Sequence, residues 1–121
     1  MIKSDILIIG AGPGGYELAA EAVSEGLSVT VIEKGELGGT CLNRGCIPTK
    51  ALCRSAELAM TVKEAVTFGV NVDNFTLDFA TAVARKNSIV EQLREGIAFL
   101  LDKCKVVKGE AKFIDSHAVE C

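Results

Sequence analysis

The sequence predicts an α/β fold built on a parallel sheet, and three features carry that expectation. Ile6-Leu7-Ile8-Ile9 and Val29-Thr30-Val31-Ile32 are short, apolar and rich in β-branched residues, the pattern of strands covered on both faces. Between them lies a glycine-rich stretch followed by a helical pattern, so strand, helix and strand fit within about 30 residues, the size of a right-handed crossover unit. Two longer helical patterns follow, one from Pro48 towards Gly69 and one from Phe79 to Leu100.

The 121 residues are 49% hydrophobic and 24% charged, with a net charge of -3, the make-up of one ordinary globular domain or part of one. A chain of this length buries roughly two-thirds of its unfolded surface and needs neither a metal nor disulfides to hold its core. That leaves Cys41, Cys46, Cys53, Cys104 and Cys121 free for chemistry. Without a basic excess there is no electrostatic footprint for nucleic acid or an anionic membrane, and neither partner is expected. No apolar run approaches the roughly 18 residues of a membrane span. The first apolar run leads into glycines rather than a cleavage site for a signal peptide, so a cytoplasmic location is expected. An odd number of cysteines there points to reduced thiols or redox chemistry.

Element by element, Ile6–Ile9 is the first strand. The first helix runs from Pro13, a residue tolerated in a first turn, to Gly26 beyond its end; Leu18, Ala19, Ala22 and Val23 share one face and Glu17, Glu21 and Glu25 another. Residues 29–32 form the second strand. Gly35 to Gly45 is a constrained segment holding four glycines, after which Pro48 reads as the first position of a helix. Residues 70–77 connect it to a third helix for which Asp78 is the N-cap. Phe79, Val83, Val90, Leu93, Ile97 and Leu100 recur there at spacings of three and four, interrupted by Lys86. With fewer than four clean heptads, this stripe predicts packing against the preceding helix rather than a dimerising coiled coil. Val106-Val107, Ala111–Ile114 and Ala118–Glu120 read as short strands. No repeat, low-complexity tract or interior linker is visible.

Gly10-Ala11-Gly12-Pro13-Gly14-Gly15 fits G-x-G-x-x-G between a strand and a helix, the context that gives this motif meaning. Gly10 makes the tight turn, Gly12 lets backbone approach a pyrophosphate, and Gly15 lets helix and strand pack closely. The helix N-terminus supplies free N–H groups and a positive dipole end. Glu33 closes the second strand near the spacing at which a carboxylate meets ribose hydroxyls. These features predict a dinucleotide site and leave NAD and FAD undivided.

Cys41 and Cys46 stand five positions apart just before a helix. In a regular helix five residues rise about 7.5 Å and turn well away, too far for a disulfide. A bridge therefore requires distorted backbone, which Gly45 can supply. The nearby helix N-terminus favours a thiolate at Cys46, suited to an electron donor or nucleophile. Lys50 is at the wrong end for the helix dipole and is expected to answer to something anionic. Two inert thiols or a zinc site are the competing readings, and zinc lacks paired ligand spacings, with His117 remote. Cys53 reads as a buried helix residue and His117 as a turn residue.

In order and spacing, G-A-G-P-G-G at 10–15, V-I-E-K at 31–34 and G-G-T-C-L-N-R-G-C-I-P-T-K-A-L at 38–52 resemble the pyridine nucleotide-disulfide oxidoreductases, and among them the lipoamide dehydrogenase type. The resemblance extends over essentially the whole chain, including G-E-A-K-F at 109–113. It implies a Rossmann-like FAD-binding fold with a long antiparallel helix pair and a small β-meander. Residues 1–121 would be the N-terminal portion of the FAD-binding domain, incomplete at its C-terminus, with the NAD-binding and dimerisation domains outside the sequence. FAD would lie along Gly10, Gly12, Gly14 and Gly15, with Glu33 on its adenosine ribose, Lys34, Gly38, Gly39 and Thr40 along its path, and the Ala111 backbone at the adenine. Cys41 and Cys46 would form the redox disulfide, Cys46 facing the flavin and Cys41 exchanging with a dithiol substrate, with Lys50 near the flavin ring.

The implied parent reaction is oxidation of protein-bound dihydrolipoamide with NAD as acceptor. Its implied partners are a lipoyl-bearing protein of a 2-oxo acid dehydrogenase or glycine cleavage complex and, for the parent, a second copy in a homodimer. The chain alone is not expected to turn over, and the bare edge of its first strand is expected to favour association. Leu42, Ile47 and Ala51-Leu52 favour the lipoamide type over a glutathione or mercuric reductase. A stand-alone flavin- or NAD-binding redox module is a further alternative.

Overall fold

The centre of the sheet belongs to the second strand. In the computed structural model, which describes residues 1–121, β1 (Ile6–Ile9), β2 (Val29–Glu33) and β3 (Lys105–Lys108) run parallel in the order β1-β2-β3. Ile8 pairs with Val31, and Val31 with Val106. Val29, Thr30, Val31 and Ile32 are all buried, as expected of a strand with a neighbour on each side. The double burial expected of β1 does not occur: Ile8 is in the core, but Leu7 and Ile9 are 41% and 48% exposed. Alternate residues of a strand face opposite ways, and β1 lies at the sheet edge. Its edge is bare, as expected of the first strand.

One face of the sheet carries the core. Ile8, Val29 and Val31 pack with Ala19 and Ala22 of α1 (Pro13–Ser24) and with Val90, Ile97 and Leu101 from the α4 region. The alanines let α1 sit close to the strands. Full burial of a side chain such as Val31 or Leu101 stabilises by about 1.5–3 kcal/mol. The helix ends where the sequence places it, with Gly26 at φ +84°.

Two helices fill the segment after β2. A short α2 spans Gly39–Arg44, and α3 (Cys46–Glu64) begins after Gly45. Pro48 is thus the third residue of α3 rather than the first, a position where its missing N–H still leaves no helical bond unmade. A 3₁₀ turn at Ala65–Phe68 is closed by Gly69 at φ +78°, and α4 spans Phe79–Leu100, packed antiparallel on α3. Asp78 caps α4, its carboxylate accepting from the Thr81 N–H at 3.1 Å. The buried face of α4 is rotated from the expected stripe: Ala82, Val90 and Ile97 are buried while Phe79, Leu93 and Leu100 are exposed. Small Ala82 lets α4 approach α3, where Ala51 is likewise buried.

The expected meander divides. Residues 105–108 join the parallel sheet as β3, and β4 (Lys112–Phe113) pairs antiparallel with β5 (Val119–Glu120). Between these strands Asp115 accepts from the His117 N–H at 2.7 Å, so His117 is the turn residue expected. No helix is long and apolar enough to cross a membrane.

Candidate redox and cofactor site

The glycine loop does what its spacing demands. Gly10 turns at φ +98° while its N–H bonds the Ile32 carbonyl at 2.7 Å, so the chain leaves β1 in a conformation costly for any other residue. A Cβ at Gly15 would overlap the Gly10 carbonyl oxygen, which makes this glycine the point of closest approach between α1 and β1. The N–H groups of Gly14 and Gly15, in the first turn of α1, have no acceptor within the chain. Free N–H groups at the positive end of a helix are the donor set an anion requires.

A second glycine turn meets the first. Gly38, at φ +100°, donates to the Ala11 carbonyl at 2.8 Å, and a Cβ on Gly39 would lie 2.8 Å from the Gly12 Cα. The absence of a side chain at Gly39 allows this contact, which brings Thr40 and the start of α2 beside the start of α1. Glu33 links the two turns: its Oε2 accepts from the Ala11 N–H and its Oε1 from the Gly35 N–H, each at 2.7 Å. Lys34 leans instead to Glu110 at 3.4 Å, a pair exposed on both sides and of little energetic weight. The Gly109 N–H bonds the Glu33 carbonyl at 3.0 Å, which places the segment carrying Ala111 next to this corner.

Cys41 and Cys46 form a disulfide with Cα atoms 4.8 Å apart. The regular-helix obstacle is removed by Gly45, whose φ of -126° and ψ of -111° separate α2 from α3. A Cβ on Gly45 would come within 3.2 Å of the Cys41 Cα, so the two helix ends fold back onto each other around a residue without a side chain. Cys46 is exposed at the first position of α3, and Cys41 is half-buried. Lys50 stands exposed one turn along, without an ion-pair partner. Cys53 is exposed rather than buried, because only the Ala51 side of α3 packs on α4. Cys104 is partly enclosed, and burial pushes its thiol above the ordinary range.

The side chains that organise this corner include two that sequence reasoning passed over. A polar cavity of about 330 Å³ is bounded by Glu33, Gly39 and Thr40 and also by Asn43, Arg44 and Arg94. Asn43 donates through Nδ2 to the Leu37 and Gly39 carbonyls at 2.9 Å each and accepts from Arg94 Nε at 2.7 Å. The signal for Asn43 was its place between the two cysteines. Arg94 had only its position beside the apolar residues of α4, which in sequence reads as solvated surface. No cluster of three or more histidine, cysteine or acidic side chains comes within reach of a metal ion.

Residues 4–120 match the model of the pyridine nucleotide-disulphide oxidoreductases. The chain belongs to that family. Among relatives, it is 48% identical over 120 residues to the dihydrolipoyl dehydrogenase of Bacillus subtilis, covering 98% of this chain and 26% of that protein. It is 50% identical over 109 residues to that of Chlorobaculum tepidum, covering 88% and 23%. A solved HOCl-induced flavoprotein disulfide reductase of Escherichia coli, in its Cu(II) complex, superposes with a TM-score of 0.80 at 34% identity, over 98% of this chain and 24% of that one. The chain therefore spans about a quarter of the length of these family members.

Proposed function

We propose that residues 1–121 are the N-terminal portion of an FAD-binding domain and carry the redox disulfide of a dihydrolipoyl dehydrogenase. The observation that carries this reading is the Cys41–Cys46 disulfide at the start of α3, on a chain segment that begins at the paired glycine turns. The residues fit a dinucleotide. The free N–H groups of Gly14 and Gly15 suit its pyrophosphate, and Gly10, Gly12, Gly38 and Gly39 keep the two turns free of side chains. Thr40 and Lys34 line the path, and the backbone at Ala111 meets the adenine. Glu33 serves the adenosine ribose: each of its oxygens accepts one backbone N–H and keeps a lone pair for a hydroxyl donor.

The thiol chemistry falls to the chain itself. A thiolate of the protein-bound dihydrolipoyl group attacks Cys41 Sγ, the S–S bond breaks, and Cys46 leaves as a thiolate favoured by the positive end of α3. The second substrate thiol then displaces Cys41 and its proton passes to the departing Cys41 sulfur, so two electrons and one proton have moved from the substrate thiolate to the protein, leaving Cys41 a thiol and Cys46 a thiolate. FAD held by the paired glycine turns would supply a two-electron acceptor for the reduced pair at the Cys46 side, with NAD as the acceptor of the parent reaction. Lys50, one turn from Cys46, faces the negative charge that accumulates there. The lipoyl group belongs to a 2-oxo acid dehydrogenase or glycine cleavage complex, the whole enzyme works as a cytoplasmic homodimer, and this chain alone does not turn over.

The test is visible absorbance of the chain titrated with FAD, before and after one equivalent of a dithiol. A flavin band that gains a long-wavelength shoulder on reduction, lost in Cys46→Ser with the band retained, supports the reading. Absence of any FAD binding overturns it.

A further inference from the structure

Arg94 spends its charge in an unexpected way. It has no ion pair, although Glu91 and Glu95 flank it in sequence, and its Nε instead donates to the neutral amide oxygen of Asn43 at 2.7 Å. That bond joins α4 to α2 across 51 residues of sequence and is the only hydrogen bond between the two helices. Asn43 passes the restraint on, since its Nδ2 holds the Leu37 and Gly39 carbonyls at 2.9 Å. Asn43 lies two residues from Cys41 and three from Cys46, on the helix that carries Cys41.

We propose that Arg94, acting through Asn43, is a positioning residue for the Cys41–Cys46 couple, holding α2 in place when the two sulfurs are reduced. The inference rests on the reading of this pair as redox-active. In the oxidised chain the covalent bond itself keeps the Cys41 and Cys46 Cα atoms 4.8 Å apart. Two electrons and two protons convert it to two thiols, and the link through Gly45, a residue with a wide choice of backbone conformations, is then free to turn. What remains to hold α2 is the Gly38–Gly39 contact with the Ala11–Gly12 turn at its start, the buried Leu42 side chain and the Asn43 network nearer its end. The readiness of two thiols to close a disulfide depends on their effective concentration, which falls as the segment joining them gains freedom. Loss of the Arg94 bond leaves the oxidised form held by its S–S bond and releases the reduced form, so the balance moves towards dithiol. A residue that merely supported the fold would weaken both forms alike and leave that balance unchanged.

The experiment equilibrates the full 121-residue chain in mixtures of reduced and oxidised dithiothreitol, then alkylates and maps Cys41 and Cys46 by mass. Each turnover of this exchange opens the protein disulfide and closes the cyclic disulfide of dithiothreitol, so atoms and electrons balance. Arg94→Met is expected to lower the equilibrium constant for disulfide formation three- to tenfold, with Arg94→Lys within twofold of wild type. Tenfold corresponds to about 30 mV for a two-electron couple. Asn43→Leu removes the acceptor for Arg94 and both donations; it is expected to shift the balance the same way, and decides the matter should Arg94→Met not fold. An unchanged constant in the variant that folds, whatever its thermal stability, overturns the proposal. A wild-type pair that does not interconvert with dithiothreitol at all overturns the redox reading beneath it, and the two failures are thereby distinguished.

Discussion

Alanine at Gly14 and at Gly15 should move stability in opposite directions, although the two glycines are neighbours in the first turn of α1. In a helix alanine is favoured over glycine by up to about 1 kcal/mol, and at Gly14 nothing lies within 4 Å of the added Cβ. Gly14→Ala should therefore gain a few tenths to about 1 kcal/mol. At Gly15 the same Cβ overlaps the Gly10 carbonyl oxygen and lies 3.1 Å from its carbon. Gly10 cannot yield freely, because it turns at φ +98° and its N–H is held by Ile32. Overpacking of this kind costs about 1–3 kcal/mol and outweighs the helix gain, leaving Gly15→Ala destabilised by about 1–2 kcal/mol. Urea unfolding followed by helical circular dichroism measures both, and at this chain length 1 kcal/mol corresponds to about 4 °C in Tm. A Gly15→Ala chain as stable as wild type, at unchanged urea dependence, would refute the claim that this contact fixes the distance between α1 and β1.

Leu101→Ala, at a site only 1% exposed, should cost about 2–5 kcal/mol in the same assay. Acid should unfold the chain partly through two aspartates. Asp5 is held below its ordinary range by the Ser28 hydroxyl and then the Ser28 N–H, and Asp78 by the Thr81 hydroxyl and then the Thr81 N–H. A depressed carboxyl contributes stability above its unfolded pKa, about 3.9, and loses it as pH falls through the lower folded value. Asp5→Asn should thus flatten the stability-against-pH curve below about pH 4, as measured by urea midpoints from pH 2 to 6. Cys104, its thiol raised by burial, should react with iodoacetamide at pH 8 more slowly than exposed Cys53, as peptide mapping would show.

The first 33 residues were legible because their signals are local. Strand, glycine turn and helix are each specified by residues within a few positions, and Glu33 stands at a fixed spacing from the loop. The same holds for the Asp78 cap and for the need for Gly45 to bend the backbone between the cysteines. Long-range facts were not legible. That β3 enters the parallel sheet beside β2 depends on which edge is free, and Val106-Val107 reads as strand in either sheet. The rotation of α4 follows from the small pair Ala51 and Ala82, which periodicity of large residues does not weigh. Within the site, the glycine turns and the cysteine pair could be read, whereas the Arg94–Asn43 bond could not, since its partners are 51 residues apart and nothing near Arg94 in sequence points to Asn43.

The order of the sheet also governs the order of assembly. β1 and β2 are joined by one helix and a short loop, so their pairing encloses little chain. β3 must return to β2 from the far side of residues 34–104, an excursion that includes α2, α3 and α4. Closing a loop of some seventy residues costs more entropy than closing one of twenty, and the cost falls before its contacts form. The β1-α1-β2 unit therefore forms early and the β2–β3 pairing late, once α3 and α4 have shortened the excursion by packing on each other. Neighbouring residues of β2 record the two events: the Ile32 carbonyl accepts from the Gly10 N–H on the β1 side and the Glu33 carbonyl from the Gly109 N–H on the β3 side, so the Gly10 amide should resist hydrogen exchange during refolding well before the Gly109 amide.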